Sequence, residues 1–421
     1  MTIRFGIRWD GWGRPGPARI AALGLTLAAL FVPATAGAAD TVGKSMDRVA
    51  GGSGMTGLTM PDGSGVDVAI VDSGVVPVGS LAQPGRVVYG PDFSSESRDR
   101  DLRNLDTFGH GTHLAGIIAG RDRITGFAGV APGARLVSLK IAGADGETSL
   151  SRVLAALDWI RRNHDAPGYN IRVVNLSLGV EGDDYRSDVL AYAVEQLWHD
   201  GIVVVAAAGN NGAQARALDM PADDPFVIAA GATDTKGTAN PADDRVADFS
   251  SRGRTRSADL VAPGTAIMSL RVPGSTLDTE FPSARQSSGF FRGSGTSQAA
   301  AVTSGLVARL LGARPTLTPD QVKALLIEGA VDLVDPRSAD GAGRVDLRRS
   351  LATAVPSRED AKQRWAPAVI DFERLRRALR RDRDQAVGPG AEWNGRRWSG
   401  RRWSGRRWSG RRWSGDSWSN N

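Results

Sequence analysis

The sequence predicts an α/β fold in which a mostly parallel β-sheet is covered by helices on both faces. Short apolar runs rich in β-branched residues alternate with segments of helical spacing. The runs lack the period-two alternation of half-exposed strands, as expected of strands buried on both faces. The predicted strands are 66–71, 134–141, 172–178, 201–207 and 226–230. Two helices are expected between them, at 150–160 and 187–199.

The first predicted strand leads directly into Asp72, which places a carboxylate at the carboxyl edge of the sheet, where the sites of such folds gather. Downstream, His110 stands in a Gly-His-Gly-Thr-His run that opens a helix of small residues. A carboxylate at a strand end can accept the N–H of an imidazole and fix its tautomer. The imidazole can then take a proton from a hydroxyl group.

Ser297 supplies a candidate hydroxyl, because it follows Gly-Thr at the start of another small-residue helix. A helix start exposes the side-chain oxygen and directs unpaired backbone N–H groups outward. A serine alcohol needs a neighbouring base and donors for the oxyanion that forms. Asn210, at the end of the strand predicted at 201–207, offers a side-chain amide as such a donor. A Gly-Ser turn before a helix is more often ordinary capping, so the interpretation depends on all four residues together.

These four segments resemble those of the subtilisin-like serine peptidases, and the match spans about residues 57–351. The order Asp, His, Ser along the chain is that of the subtilisin triad. The resemblance implies that Asp72 orients the imidazole and that His110 acts as general base and acid. It also implies that Ser297 is the nucleophile, and that Asn210 and the backbone N–H of the serine stabilise the oxyanion.

The segment after the nucleophile departs from the family pattern. Family members usually show Met and then Ala-Ala-Pro, whereas this chain has Gln298 and three alanines. Losing proline removes a fixed φ, but alanine propagates a helix well. A polar side chain beside the serine leaves a second interpretation open, in which the chain is a binding protein on a subtilisin-like scaffold that has lost activity.

Two further segments are implied to bind substrate. One ends a strand and would pair with an extended peptide as an added strand, through Ser177, Leu178 and Gly179. Residues 146–148 are a candidate for the opposite side of that peptide. The first specificity pocket would be walled by small residues that leave room for a large apolar side chain, namely Ala207, Ala208 and Gly209.

Cysteine is absent from the 421 residues, which excludes disulfides, thiolate metal sites and a covalent cysteine mechanism. The triad requires no cofactor for its chemistry. Relatives often bind structural calcium through oxygen ligands. Loop aspartates suit either that role or solvated caps and turns, so the sequence assigns no metal ligands; these residues are Asp223, Asp224, Asp243, Asp244 and Asp248.

The formal net charge of +6 belongs to the C-terminal tail. Residues 391–421 hold eight arginines against two acidic residues, and the other 390 residues carry 44 basic and 44 acidic groups. Nucleic-acid binding by the core is therefore not expected. The tail repeats Arg-Arg-Trp-Ser-Gly four times, a period that matches neither helix nor strand, so we expect disorder there.

The N-terminus predicts export, because arginines precede an apolar run at 20–32 and a small-residue cleavage site. An uncleaved membrane anchor is the alternative. The predicted organisation is a signal peptide (1–38), an N-terminal linker (39–56), a subtilisin-like peptidase domain (57–351), a charged linker or helix (352–390) and a disordered tail (391–421).

The leading interpretation is a monomeric exported serine endopeptidase that acts on proteins or peptides, secreted or held at the cell surface. Arginine and tryptophan in the tail suit anionic cell-envelope polymers or lipid headgroups. Single-stranded nucleic acid fits an exported protein less well. A third interpretation is a processing peptidase that cuts one dedicated partner, and a tail without function also stays open.

Overall fold

The computed structural model describes residues 60–122, 125–180, 184–238, 240–287 and 289–369, and the backbone of residues 2–5. The rest of the predicted signal segment, the linker at 39–56 and the repeat tail at 391–421 lie outside these residues. Among the described helices, none combines the length and the apolarity that crossing a bilayer requires.

The strands of the described chain are, in order, β1 (Thr2–Phe5), β2 (Asp67–Asp72), β3 (Val87–Asp92), β4 (Arg135–Lys140), β5 (Glu147–Ser149), β6 (Ile171–Leu176), β7 (Leu178–Gly179), β8 (Val203–Ala207), β9 (Ile228–Asp234), β10 (Arg245–Val246), β11 (Leu260–Pro263), β12 (Ile267–Leu270) and β13 (Phe290–Gly293). Eight of them form the central sheet in the order β10-β9-β8-β6-β2-β4-β3, with β11 paired to β9. Within this sheet only β10 runs antiparallel to its neighbour.

The helices described are α1 (His110–Ala119), α2 (Leu150–Asn163), α3 (Val189–His199), α4 (Thr276–Glu280), α5 (Thr296–Ala313), α6 (Pro319–Glu328), α7 (Arg337–Asp340), α8 (Leu347–Ala352) and α9 (Arg358–Ala361). Helix α5 packs on β6, β8 and β9, and α1 packs on α5 and β2. Helices α2 and α3 pack on each other and on β2 and β8, respectively. The predicted α/β fold with a mostly parallel sheet is confirmed.

All five predicted strands exist, and each begins within two residues of its predicted start. Strand β9 differs most, because it continues to Asp234 in order to pair with β10 and β11. The central strands β2 and β8 are buried at every residue, which explains why their sequences are continuous apolar runs. Strand β3 and the shorter strands β10 to β13 are not predicted by these runs.

Helix α5 crosses the centre of the domain, and its sixteen residues from Thr296 to Leu311 are all buried. Small residues make this possible, since a Cβ on Gly305 would lie only 2.6 Å from the Cβ of Val130. The alanines that replace the family's Ala-Ala-Pro continue the helix from its first turn. The nucleophile candidate therefore sits on a rigid element.

The charged segment predicted as a linker or helix begins by packing on the domain. Ala368 is buried, and its N–H donates to Oε1 of Glu195 on α3 at 2.7 Å. The hydroxyl of Tyr185 donates to the carbonyl of Ala366 at 3.1 Å. The peptidase domain thus has a C-terminal extension as far as residue 369 that contacts it directly.

Candidate active site

The first pair of predicted catalytic residues is in contact. Asp72 is the last residue of β2, and His110 is the first residue of α1. Nδ1 of His110 lies 2.9 Å and 3.0 Å from the two carboxylate oxygens of Asp72, and both side chains are fully buried. A carboxylate that accepts the Nδ1 proton leaves Nε2 as the basic nitrogen of the neutral ring.

Backbone and hydroxyl donors hold the Asp72 carboxylate in place. Its Oδ1 accepts the N–H of Ser73 at 2.7 Å and the hydroxyl of Ser73 lies 3.1 Å away. Gly111 lets α1 approach closely, because a Cβ there would lie 3.1 Å from Oδ1 of Asp72. The turn into α1 needs a glycine at position 109, where φ is +103°.

A second buried carboxylate, that of Asp106, contacts Ser73 and the first turn of α1 and was not predicted from the sequence. It accepts hydrogen bonds of 2.7 Å from the hydroxyl of Ser73 and from the N–H groups of Gly109 and Thr112. Burial raises the pKa of Asp106, whereas the hydrogen bonds from Thr112 and Gly109 lower it. The carboxylate fixes the first turn of α1, which carries the imidazole.

Ser297 is the second residue of α5, so its backbone N–H lies in the first turn of the helix. Its Oγ donates to the carbonyl oxygen of Ser177 at 3.3 Å, and the hydroxyl of Ser177 donates to the carbonyl of Ser297 at 3.1 Å. Ser177 directly follows β6, which pairs in parallel with β2, and β2 ends at Asp72, so the serine and the histidine both lie at the carboxyl edge of the sheet.

Asn210 is hydrogen-bonded to Thr296, the residue before the nucleophile. Its Oδ1 accepts the N–H and the hydroxyl of Thr296, each at 2.9 Å. These bonds use the oxygen end of the amide, so Nδ2 is the end turned away from Thr296. The arrangement suits an amide that donates to an oxyanion at the adjacent serine.

We expect Asn210→Ala to lower kcat by about 10²- to 10³-fold with little change in KM, since an oxyanion donor acts mainly in the transition state. Steady-state kinetics on a peptide substrate measure this. Asn163→Ala, which removes an amide at the end of α2, serves as the matched control. A kcat unchanged by Asn210→Ala would remove this residue from the mechanism.

The predicted substrate edge forms one side of a three-stranded antiparallel sheet. Strand β1 lies between β5 and β7, with Phe5 opposite Leu178 and Ile3 opposite Thr148. The slot between β5 and β7 therefore accepts an extended backbone, and it leads towards Ser177. That a substrate occupies it stays a prediction.

The predicted pocket wall follows β8. Ala207 and Ala208 are buried, and Gly209 has a φ of +102°. A Cβ on Gly209 would lie 2.6 Å from Oδ2 of Asp219, a residue that the sequence analysis did not consider. A carboxylate thus lies against these small residues, and their role as a pocket wall stays a prediction.

Comparison with known proteins decides the family. A model of the Subtilase family matches residues 63–345, which is more than half of the chain. The chain belongs to the subtilase family. This confirms the resemblance drawn from the motifs.

This subtilase is 38% identical over 300 residues to serine protease AprX of Bacillus subtilis (strain 168), covering 69% of the chain and 66% of AprX. It is 33% identical over 275 residues to Subtilisin DY of Bacillus licheniformis, covering 65% of the chain and 86% of that protein. The chain therefore spans slightly less than two thirds of AprX.

Solved structures give the same result. Fervidolysin from Fervidobacterium pennivorans, a keratinolytic enzyme related to subtilisin, superposes with a TM-score of 0.59 at 28% identity, covering 74% of this chain and 46% of its own. A cold-adapted subtilisin-like serine proteinase gives a TM-score of 0.54 at 29% identity, covering 72% and 96%.

Gln298 is fully buried in this subtilase. Neither end of its amide has a hydrogen-bond partner in the described part of the chain. A buried unpaired amide costs about 1–3 kcal/mol. The Gln298 side chain takes no part in the contacts of Asp72, His110 and Asn210 given above. The replacement of the family's methionine by glutamine therefore affects packing beside the serine and leaves those contacts in place.

The loop aspartates considered for calcium do not form a common ligand set. Asp224 accepts the N–H of Phe226, Asp243 accepts the hydroxyl of Thr238, and Asp244 pairs with Arg344. Among the described residues, no group of three or more His, Cys, Asp or Glu side chains could hold a metal ion. Structural calcium stays a prediction to which no ligands are assigned.

Asp224 is expected to make the stability of this subtilase pH-dependent. Burial raises its pKa from 3.8 to about 7, although the hydrogen bond from the N–H of Phe226 lowers the pKa. Between about pH 4 and pH 7 the folded state binds a proton that the unfolded chain releases, so stability falls as the pH rises. This effect is at most on the order of 4 kcal/mol.

We therefore expect Asp224→Asn to increase the free energy of unfolding at pH 8 and to have little effect at pH 4. Urea denaturation at both pH values measures the difference. Asp234→Asn, which removes a surface carboxylate paired with Lys236, is the control. Parallel pH dependences of wild type and Asp224→Asn would contradict the assignment.

Proposed function

We propose that this subtilase is an exported serine endopeptidase that cleaves peptide bonds through an acyl-enzyme. The observation that carries the proposal is the buried contact of 2.9 Å between Nδ1 of His110 and Asp72, at the same sheet edge as the start of α5. The names of its relatives, AprX and Subtilisin DY, support serine protease chemistry.

The reaction begins when Oγ of Ser297 rotates from the carbonyl of Ser177 and attacks the substrate carbonyl carbon. Nε2 of His110 takes the hydroxyl proton, and Asp72 remains ionised and stabilises the imidazolium. The oxyanion accepts hydrogen bonds from Nδ2 of Asn210 and from the N–H of the serine. The imidazolium then protonates the leaving amine, and an ester to the serine remains.

Hydrolysis of that ester repeats the same steps with water as the nucleophile. His110 takes a proton from water, and the second oxyanion forms at the same donors. The serine leaves as the proton returns to Oγ, and the acyl product is released as a carboxylate. No other group is needed for the proton transfers.

The substrate binds as a strand between β5 and β7, in the place that β1 of the chain itself takes in the structure. The backbone of Ser177, Leu178 and Gly179 forms one side, and residues 147–149 form the other. Because a strand in this slot leads towards Ser177, whose carbonyl accepts from Ser297, its scissile bond arrives beside the nucleophile.

Digestion of casein by the purified protein, with and without a serine-directed inhibitor, tests the proposal. We expect fragments that the inhibitor abolishes. Intact casein after incubation with folded protein would favour the alternative of an inactive scaffold that binds at the cell surface. Fragments that persist with the inhibitor would point to a contaminating enzyme.

We also propose that the repeats of the tail hold the exported protein on anionic envelope polymers or lipid headgroups. Eight arginines and six tryptophans between residues 391 and 421 support this, since guanidinium groups pair with phosphates and indoles prefer the interface. The leader sequence supports export.

Deletion after Pro389 is expected to release the protein from envelope fractions while small-peptide cleavage is unchanged. Fractionation with immunoblotting measures this. A deletion of only residues 416–421, which keeps all four repeats, is the matched control. Equal retention of all three forms would end the anchoring proposal.

A further inference from the structure

We propose that Asp219 makes the first specificity pocket anionic, so that cleavage follows a lysine or arginine. This proposal rests on the endopeptidase function above and specifies its substrate. It replaces the sequence-based expectation of a large apolar side chain, which considered only the small residues after β8.

Asp219 lies between the two segments that form the pocket. Its N–H donates to the carbonyl oxygen of Ala208 at 3.2 Å, which joins it to the wall after β8. A Cβ on Gly209 would lie 2.6 Å from Oδ2 of Asp219. A Cβ on Gly179, at the end of β7, would lie 2.6 Å from the Cβ of Asp219 and 3.3 Å from Oδ2.

The carboxylate is oriented by its neighbours. Nδ2 of Asn211 donates to Oδ1 at 3.1 Å, and the N–H of Asn211 is itself held by the hydroxyl of Ser251 at 3.0 Å. With Oδ1 engaged in this way, Oδ2 is the oxygen that lies against both glycines. The half-buried side chain is therefore a fixed feature of the gap between β7 and the end of β8.

The residue before the scissile bond reaches this gap. In the slot, Phe5 of β1 lies opposite Leu178, so the next position along such a strand comes opposite Ser177. Ser177 is hydrogen-bonded to the nucleophile, which identifies that position as the one beside the scissile bond. The side chain of the substrate residue at that position lies next to the gap between Gly179 and Gly209.

The negative charge of Asp219 then determines which substrate side chain this gap accepts. An apolar side chain next to Oδ2 would make the surroundings of the carboxylate less polar and offer it no hydrogen bond, which is unfavourable for a charged group. An ammonium or guanidinium group forms a charge-assisted hydrogen bond with the carboxylate instead. The missing Cβ atoms at the two glycines are what allow the carboxylate to lie this close to both strand ends.

The test uses full-length protein and four peptide p-nitroanilides that differ only in the residue before the scissile bond, which is Arg, Lys, Phe or Leu. For the wild type we expect kcat/KM to be at least about tenfold higher with Arg or Lys than with Phe. Asp219→Asn should lower kcat/KM for the basic substrates by about 10- to 100-fold and leave Phe and Leu nearly unchanged.

Two variants serve as controls. Asp219→Glu keeps the charge and should keep the basic preference, whereas a purely structural role would not distinguish Glu from Asn in this way. Asp200→Asn removes a surface carboxylate, paired with Arg161, and should leave all four rates unchanged. Added salt should reduce the basic preference of the wild type and have no such effect on Asp219→Asn.

A wild type that cleaves the Phe or Leu substrate faster than the Arg substrate would overturn this proposal alone, even if Asp219→Asn does not fold. An Arg-to-Phe ratio unchanged by Asp219→Asn would overturn it as well. If the wild type cleaves none of the four and a fluorophosphonate does not label Ser297, the endopeptidase function itself fails, and the specificity proposal fails with it.

Discussion

Ser297→Ala is expected to lower kcat by about 10⁶-fold, the scale of loss when a triad nucleophile is removed. The remaining histidine has no oxygen to activate and no acyl-enzyme can form, so only weak catalysis by oxyanion donors and binding is left. The fold should persist, because alanine favours the helix that begins here and keeps its backbone, while the change removes the hydroxyl that donates to the carbonyl of Ser177.

Single-turnover kinetics on a peptide substrate, with circular dichroism to verify folding, measure this effect. Ser287→Ala removes an exposed hydroxyl from a nearby loop and should retain full activity. Turnover by folded Ser297→Ala within about tenfold of wild type would mean that another group attacks the substrate.

Asp72→Asn is expected to lower kcat by about 10⁴-fold. The amide nitrogen would face Nδ1 of His110, so the ring would present the wrong nitrogen as donor and could not accept the serine proton at Nε2. Geometry should change little, since the two side chains have the same shape. The rate should recover in part at high pH, where hydroxide can substitute for the missing base.

Asp67→Asn is the matched control for this variant. Asp67 lies at the other end of the same strand, β2, and pairs with Arg135. Its loss should lower stability, because it leaves a partly buried ion pair incomplete, but it should leave kcat unchanged. Equal effects of the two substitutions on kcat would show that Asp72 supports the strand rather than the imidazole.

Much of the fold and of the candidate site can be predicted from short stretches of the sequence. The buried parallel strands are continuous apolar runs, and the strand and helix ends that carry Asp72, His110, Asn210 and Ser297 are marked by glycine and small residues. Each of these patterns spans only a few residues, so it can be recognised in the sequence without knowledge of the structure. The structure then brings the aspartate and the histidine into contact.

Residues that act through long-range contacts were not predictable in this way. Thr296, which holds the amide of Asn210, looks like an ordinary helix-start residue. Asp106 looks like a loop aspartate, although its position four residues before His110 was a local signal that could have found it. Asp219 reaches the pocket wall from beyond the strand that forms it, and only the folded chain shows the contact.

The antiparallel strands β5 and β7 could not be predicted for a different reason. Strands β5 and β7 are three and two residues long, too short for any periodicity to appear. They pair with β1, which lies more than 140 residues before β5 in the chain. The family resemblance nevertheless predicts that residues 146–148 and 177–179 lie on opposite sides of a bound peptide.

The most direct test of the account is a fluorophosphonate probe applied to the folded wild-type protein, with the modified residue identified by peptide mass spectrometry. Convergence of carboxylate, imidazole and hydroxyl predicts stoichiometric labelling at Ser297, with labelling strongly slowed in Asp72→Asn. Absence of label, or label at another serine, would contradict the claim that these three side chains form one catalytic unit.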